Sequence, residues 1–159
     1  MKLKIIVVSI LTFLINLFTT PKEVEAQGLE FAGTTKVGSL YVDVDKTYPV
    51  KKEGTYFLAI FAEEKYTNQV FLTEIRKNEK LKDVAGAVYL YLFDNRGSSY
   101  CTAAKYFVDA KGQVCLDYGS DMKMKALTTN DTTMLNAYAL CLKALENKKR
   151  IQGSLIKKQ

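Results

Sequence analysis

Apolar and polar positions alternate along much of the chain, and the alternation predicts strands before it predicts anything else. Residues 40–44 alternate apolar and polar, and residues 54–62 form an aromatic and β-branched-leaning run after the turn-like stretch 49–54. Between residues 68 and 83 the pattern is ambiguous. Val70, Phe71, Leu72 and Ile75 suit a core from either a strand or a helix, and residues 77–82 are a charged excursion with no assigned element. Further on, Asp94-Asn95-Arg96-Gly97 and Asp109-Ala110-Lys111-Gly112 each sit between strand-like runs. Asp at the first place accepts backbone hydrogen bonds, and Gly at the fourth supplies the positive φ of a bulged type I hairpin turn. The expected meander is therefore residues 88–93, 99–109 and 113–118.

That turn type fixes a register. A loop of Ala110, Lys111 and Gly112 sets Asp109 opposite Gln113, Phe107 opposite Cys115 and Lys105 opposite Asp117, the last a cross-strand charge match. Ala104, Tyr106, Val108, Val114, Leu116 and Tyr118 then share the face expected to be core. The same rule in the preceding hairpin sets Cys101 opposite Tyr91, on the face of Cys115. Those two cysteines then stand six residues apart along the strand, roughly 20 Å at about 3.3 Å per residue. A bridge between them is excluded in this register, because bridged Cα atoms lie within about 7 Å.

After the strands, the period changes. Met134, Ala137, Tyr138, Cys141, Leu142 and Leu145 recur at helical spacing, with capping side chains on offer at residues 128–131. Lys143, Lys148, Lys149 and Arg150 crowd the last turns, where cations suit the negative end of the helix dipole. The expectation is an α+β fold: a twisted antiparallel β-sheet, a meander of about five to six strands, with one C-terminal α-helix packed on it. Residues 40–150 form this single domain, residues 27–39 a flexible Gly-rich lead-in, and residues 151–159 a disordered tail.

At the amino end, Lys2 and Lys4 precede an apolar run over residues 5–18, followed by a polar stretch ending in Val24-Glu25-Ala26. This is the pattern of a secretory signal peptide over residues 1–26, cut between Ala26 and Gln27. The run is short for a membrane span, and no stretch after Gln27 is apolar enough for one. Without the three Lys and two Glu of the leader, the 23 basic and 17 acidic residues become 20 and 15, a net charge of about +5. The lysines are scattered rather than striped with aromatics, which does not suggest a nucleic-acid surface.

Export to an oxidising compartment gives the three cysteines, Cys101, Cys115 and Cys141, a chance to pair, although an odd number leaves at least one thiol over. With Cys101 and Cys115 held apart, Cys141 on the helix is the remaining partner for either. No cysteine spacing matches a zinc or redox motif. Catalysis has little to work with. The chain contains no His, which removes the commonest general base and zinc ligand. Asp43 with Asp45, and Glu63 with Glu64, are the carboxylate pairs that a glycosidase-type or Ca²⁺-binding site would need, but carboxylates at strand edges nearly always serve solvation. The sequence thus indicates no catalytic, cofactor-binding or metal residues.

The order of elements, with particular residues in them, resembles the bacterial surface-adhesin protein E family. Phe93-Asp94, a short turn, Tyr100 and then Tyr106-Phe107-x-Asp109-x-x-Gly112-x-Val114 resemble that family's hairpin. Asp131-Thr132-Thr133-Met134-Leu135-Asn136-Ala137, with Cys141 beyond, resembles its helix, and Tyr41-x-Asp43 with the strand from Gly54 resembles its opening. The family usually carries a Cys directly after the strand-ending Asp, where this chain has Asn95. If Cys101 takes that role, the resemblance implies a Cys101–Cys141 disulfide, with Cys115–Cys141 as its rival. Such a bridge, closing a loop of about 40 residues, contributes about 3–4 kcal/mol.

What the resemblance implies for function is an exported, non-enzymatic binding module at the cell surface, in the periplasm or secreted, with a protein partner such as a host extracellular-matrix protein. A homodimer stays open. The alternative is a periplasmic or envelope accessory protein of the same fold with a structural or assembly role. A small-ligand carrier or inhibitor would need a pocket lined by Tyr89, Tyr91 and Phe93.

Overall fold

In the computed structural model residues 28–156 are described, with side chains as far as Arg150. The expected leader, its cut between Ala26 and Gln27, and residues 157–159 lie outside the described residues. Six strands follow one another: β1 (Leu29–Thr34), β2 (Gly38–Lys52), β3 (Thr55–Tyr66), β4 (Val84–Asp94), β5 (Ser99–Asp109) and β6 (Val114–Ala126). They form one antiparallel sheet in the order β1-β2-β3-β4-β5-β6, an open meander. The β3–β4 connection holds a short helix α1 (Gln69–Ile75), capped by the Asn68 side chain on Phe71 N, and a 3₁₀ turn at Glu79–Leu81. The carboxy-terminal helix α2 (Thr132–Ile156) packs on β1 and β2. No described helix is long and apolar enough to cross a membrane.

Two expected boundaries move. Within the supposed flexible lead-in, Leu29–Thr34 pairs with β2 from Leu29↔Asp43 to Thr34↔Ser39. It is held because α2 closes over it. Thr133 Oγ1 donates to Thr34 O at 2.9 Å and Asn136 Nδ2 to Ala32 O at 3.3 Å. Gly33 permits this approach, since a Cβ there would stand 2.6 Å from Thr133 Oγ1. At the other end, α2 runs on to Ile156, so residues 151–156 of the expected tail are helical.

The face of the sheet beneath α2 carries the main core. Leu40, Val42, Ile60, Val84 and Phe93 are fully buried there, together with Ala137 and Cys141 of the helix. Each such large apolar side chain contributes roughly 1.5–3 kcal/mol relative to exposure, so this face dominates the stability. A smaller cluster of Ala59, Phe61 and Leu90 occupies the opposite, back face. On α2 the buried stripe includes Leu140 as a partial contact, whereas Leu142, expected on the stripe, is exposed.

The registers of the two hairpins depart from expectation, and the consequence is large. At Asp94 the loop is one residue longer than a three-residue turn. The carboxyl accepts from Arg96 N, Ser98 N, Ser98 Oγ and Ser99 Oγ at 2.6–3.0 Å, and the ladder resumes at Phe93↔Tyr100. Cys101 therefore faces Leu92 rather than Tyr91, because a one-residue slip sends every side chain to the other face. In the second hairpin Asp109 N donates to Gln113 O and Val108 faces Val114, as expected. A bulge at Cys115 then sets Phe107 opposite Leu116 and Tyr106 opposite Asp117, and a second shift between Tyr106 and Lys105 sets Lys105 opposite Gly119. The expected core face of β5–β6 is corrected with it. Phe107 is buried in the main core, while Val114 and Tyr118 are 48% and 67% exposed.

All three cysteines are free thiols. Cys101, on the back face with Leu92, is separated by the sheet from Cys141 under the helix, which corrects the Cys101–Cys141 pairing. Cys115, its rival, packs at the border of the main core without bonding to Cys141.

Candidate functional site

Because α2 lies across β1 and β2, its reach over the sheet ends where Tyr138 meets Phe93, ring centroids 5.5 Å apart. Past Phe93 the same face of β4, β5 and β6 opens as a cleft of about 370 Å³. Strand alternation places its side chains. Tyr89 and Tyr91 are two residues apart on β4 and stack, 5.0 Å between centroids and 11° between planes. Tyr100 of β5 meets Tyr91 edge-on at 5.7 Å. The bulged middle of β6 supplies the far wall: Tyr118, Gly119, Ser120, Asp121 and Lys125. Of the three aromatics that a pocket was expected to need, Tyr89 and Tyr91 line the cleft, while Phe93 is 0% exposed and belongs to the core.

Lys105 enters the cleft from β5. Its ammonium lies 4.6 Å from the Phe107 ring centroid, 4.9 Å from Tyr118 and 5.3 Å from Tyr89, a cation held on three aromatic faces. Burial pushes its pKa down, and the charge of Glu64 opposes that shift. Behind Tyr89, Glu64 is itself only 7% exposed. It accepts from Thr35 Oγ1 at 2.5 Å and from the Tyr89 hydroxyl at 2.6 Å, so its burial is satisfied without an ion pair. Burial and then the Glu64 charge raise the pKa values of Tyr89, Tyr91 and Tyr66, all of which stay protonated at neutral pH. At the rim, Lys125 pairs with Asp121 at 2.9 Å.

The other acidic pairs do not come together. Asp43 shapes the β2 bulge, accepting from Asp45 N and Lys46 N at 3.1 Å and pairing with Lys46 Nζ at 2.9 Å. Asp45 instead meets Lys148 of α2 at 3.6 Å. Glu63 and Glu64 point to opposite faces of β3, as neighbours in a strand must. Among the described residues no group of three or more His, Cys, Asp or Glu could hold a metal ion.

Reading the sequence finds two of the tyrosines but misses Lys105, Thr102, Tyr118 and the β6 wall. One signal for the network was present. Ile60, Ala62, Glu64 and Tyr66 share one face of β3, so Glu64 is a carboxylate on an apolar face. No known family model, characterised protein or solved structure matches the chain.

Proposed function

We propose that the protein is an exported, non-enzymatic binding module, and that the tyrosine-walled cleft on β4–β6 is its seat for a partner. The observation that carries this reading is that α2 and the β3–β4 connection together cover only part of an apolar sheet face and leave an aromatic and cationic hollow beside them. Its volume falls in the range of ligand pockets, and its polar groups converge on an aromatic lining in the way binding sites do. The side chains there are phenols, hydroxyls, ammoniums and one carboxylate paired with Lys125, suited to recognition, in a chain that has no His. Tyr118 at the rim presents its ring to solvent, as the aromatic anchors of protein interfaces do. A host matrix protein, as the family resemblance implies, is the partner class proposed.

The test uses the purified mature chain on a panel of immobilised extracellular-matrix proteins, with Tyr118→Ala beside the native chain, and protease access on intact cells. Saturable binding that weakens at least tenfold in Tyr118→Ala, with the protein cleaved on intact cells, supports the reading. Binding unchanged by the substitution, or no binding, would overturn it.

A further inference from the structure

The polar groups in the cleft are unevenly matched. Lys105 makes no ion pair among the described residues, and the one carboxylate at the rim, Asp121, is taken by Lys125. Tyr91 is 7% exposed, yet its hydroxyl has no hydrogen-bond partner among the described residues. No fully buried side-chain oxygen there lacks one, so the Tyr91 oxygen reaches the open space of the cleft that the residue lines. The Tyr91 hydroxyl thus donates to no protein group among the described residues and is free to donate to whatever occupies the cleft. The Lys105 ammonium, held on rings rather than on an anion, is a second donor lining the same cleft.

We infer that the cleft binds a carboxylate carried on a six-membered ring, the carboxylate set between Lys105 Nζ and the Tyr91 hydroxyl and the ring laid against the tyrosine walls. A charge-assisted bond from the ammonium is about twice as strong as a neutral one, which favours the ionised acid over its neutral counterpart. The exposed Tyr118 ring offers flat apolar surface and the stacked Tyr89 and Tyr91 line the cleft, while Thr102 and Ser120 supply hydroxyls for any further polar group on the ring. Among the described residues Glu64 makes no ion pair with Lys105, and its carboxyl oxygens accept from Thr35 and Tyr89 instead. The inference rests on the binding reading of this cleft and names the chemistry it recognises.

Two acids distinguish the sources of such a ring: D-glucuronate, saturated and polyhydroxylated, and 4-hydroxybenzoate, aromatic. Each is titrated by NMR into the mature chain beside its neutral partner, methyl glucoside or 4-hydroxybenzyl alcohol. The expected result is saturable shifts at the amides of β4–β6, with one acid at least tenfold tighter than its neutral partner. That preference is lost in Lys105→Met and binding weakens about tenfold in Tyr91→Phe, whose fold the same spectra check. Equal binding of acid and neutral partner, or binding of neither acid, would sink the inference. If neither acid binds but Tyr118→Ala still abolishes matrix binding, the carboxylate is wrong and the binding module stands. If an acid binds as expected and no matrix protein does, the carboxylate stands and the matrix partner falls.

Discussion

The Tyr89 hydroxyl donates to Glu64 Oε2 at 2.6 Å, and that bond joins the cleft wall on β4 to a buried carboxyl on β3. With Thr35 Oγ1 on the other oxygen, the β1–β2 connection, β3 and β4 meet on one side chain. Removing a hydrogen bond to a buried charged group costs about 1.5–3 kcal/mol, so Tyr89→Phe is expected to destabilise the fold by that amount in urea unfolding. Thr35→Val acts on the same acceptor. The double variant is therefore expected to depart from additivity, as groups in one network do. Additive losses would show that Glu64 does not couple the two donors.

Asp94 carries a clear pH signature. Partial burial would raise its carboxyl, but hydrogen bonds from Ser98 Oγ, Ser99 Oγ, Ser98 N and Arg96 N outweigh that and hold the pKa at about 2, below the ordinary 3.8. A depressed carboxyl stabilises the folded state above its unfolded pKa and loses that contribution as pH falls through the folded one. Stability should thus decline between about pH 4 and pH 2, with a slope that Asp94→Asn reduces. Equal slopes for the two proteins in acid unfolding curves would refute it.

How far the sequence reached follows from which rule each segment obeys. The meander and the late helix were legible because their periods are 2 and 3.6 over long runs, and local patterning sets both. Loop length was not legible at Asp94. Ser98 and Ser99 both satisfy the aspartate, which stabilises a loop one residue longer than the Asp-x-x-Gly pattern implies. That single residue decides the face of Cys101, and with it the disulfide that resemblance implied. Two register shifts in the β5–β6 ladder likewise change the partner of Lys105 from the expected Asp117 to Gly119 and bring Tyr118 against its ammonium. Tertiary contacts made β1, which has no strong pattern of its own and depends on α2 to hold it.

Free thiols on both faces of the sheet give a direct chemical test. The Cys141 thiol is fully buried, and burial pushes its pKa to about 11, so little thiolate exists at neutral pH. Cys101 is also buried and its pKa is raised, chiefly by burial. Titration with a thiol reagent under native conditions is expected to modify Cys115 first, with Cys101 and Cys141 protected until denaturant is added, when all three react. Fewer than three reactive thiols in denaturant without reductant would mean that a disulfide exists after all.

The hairpin turn at Gly97 is tied to the helix as well as to its own strand pair. Gly97 has φ +65°, and an added Cβ would collide with the Tyr138 ring, whose hydroxyl donates to Asn95 O at 3.3 Å. Two effects then add in Gly97→Ala: left-handed backbone strain of about 1–2 kcal/mol, and displacement of Tyr138 from its seat on Phe93. In a Tyr138→Ala background the collision disappears and only the backbone strain remains. Gly97→Ala is therefore expected to cost more in the native chain than in Tyr138→Ala, by thermal or urea unfolding. Equal costs would show that the turn and the helix are not in contact, and with that the boundary that leaves the cleft open beyond Phe93 would lose its support.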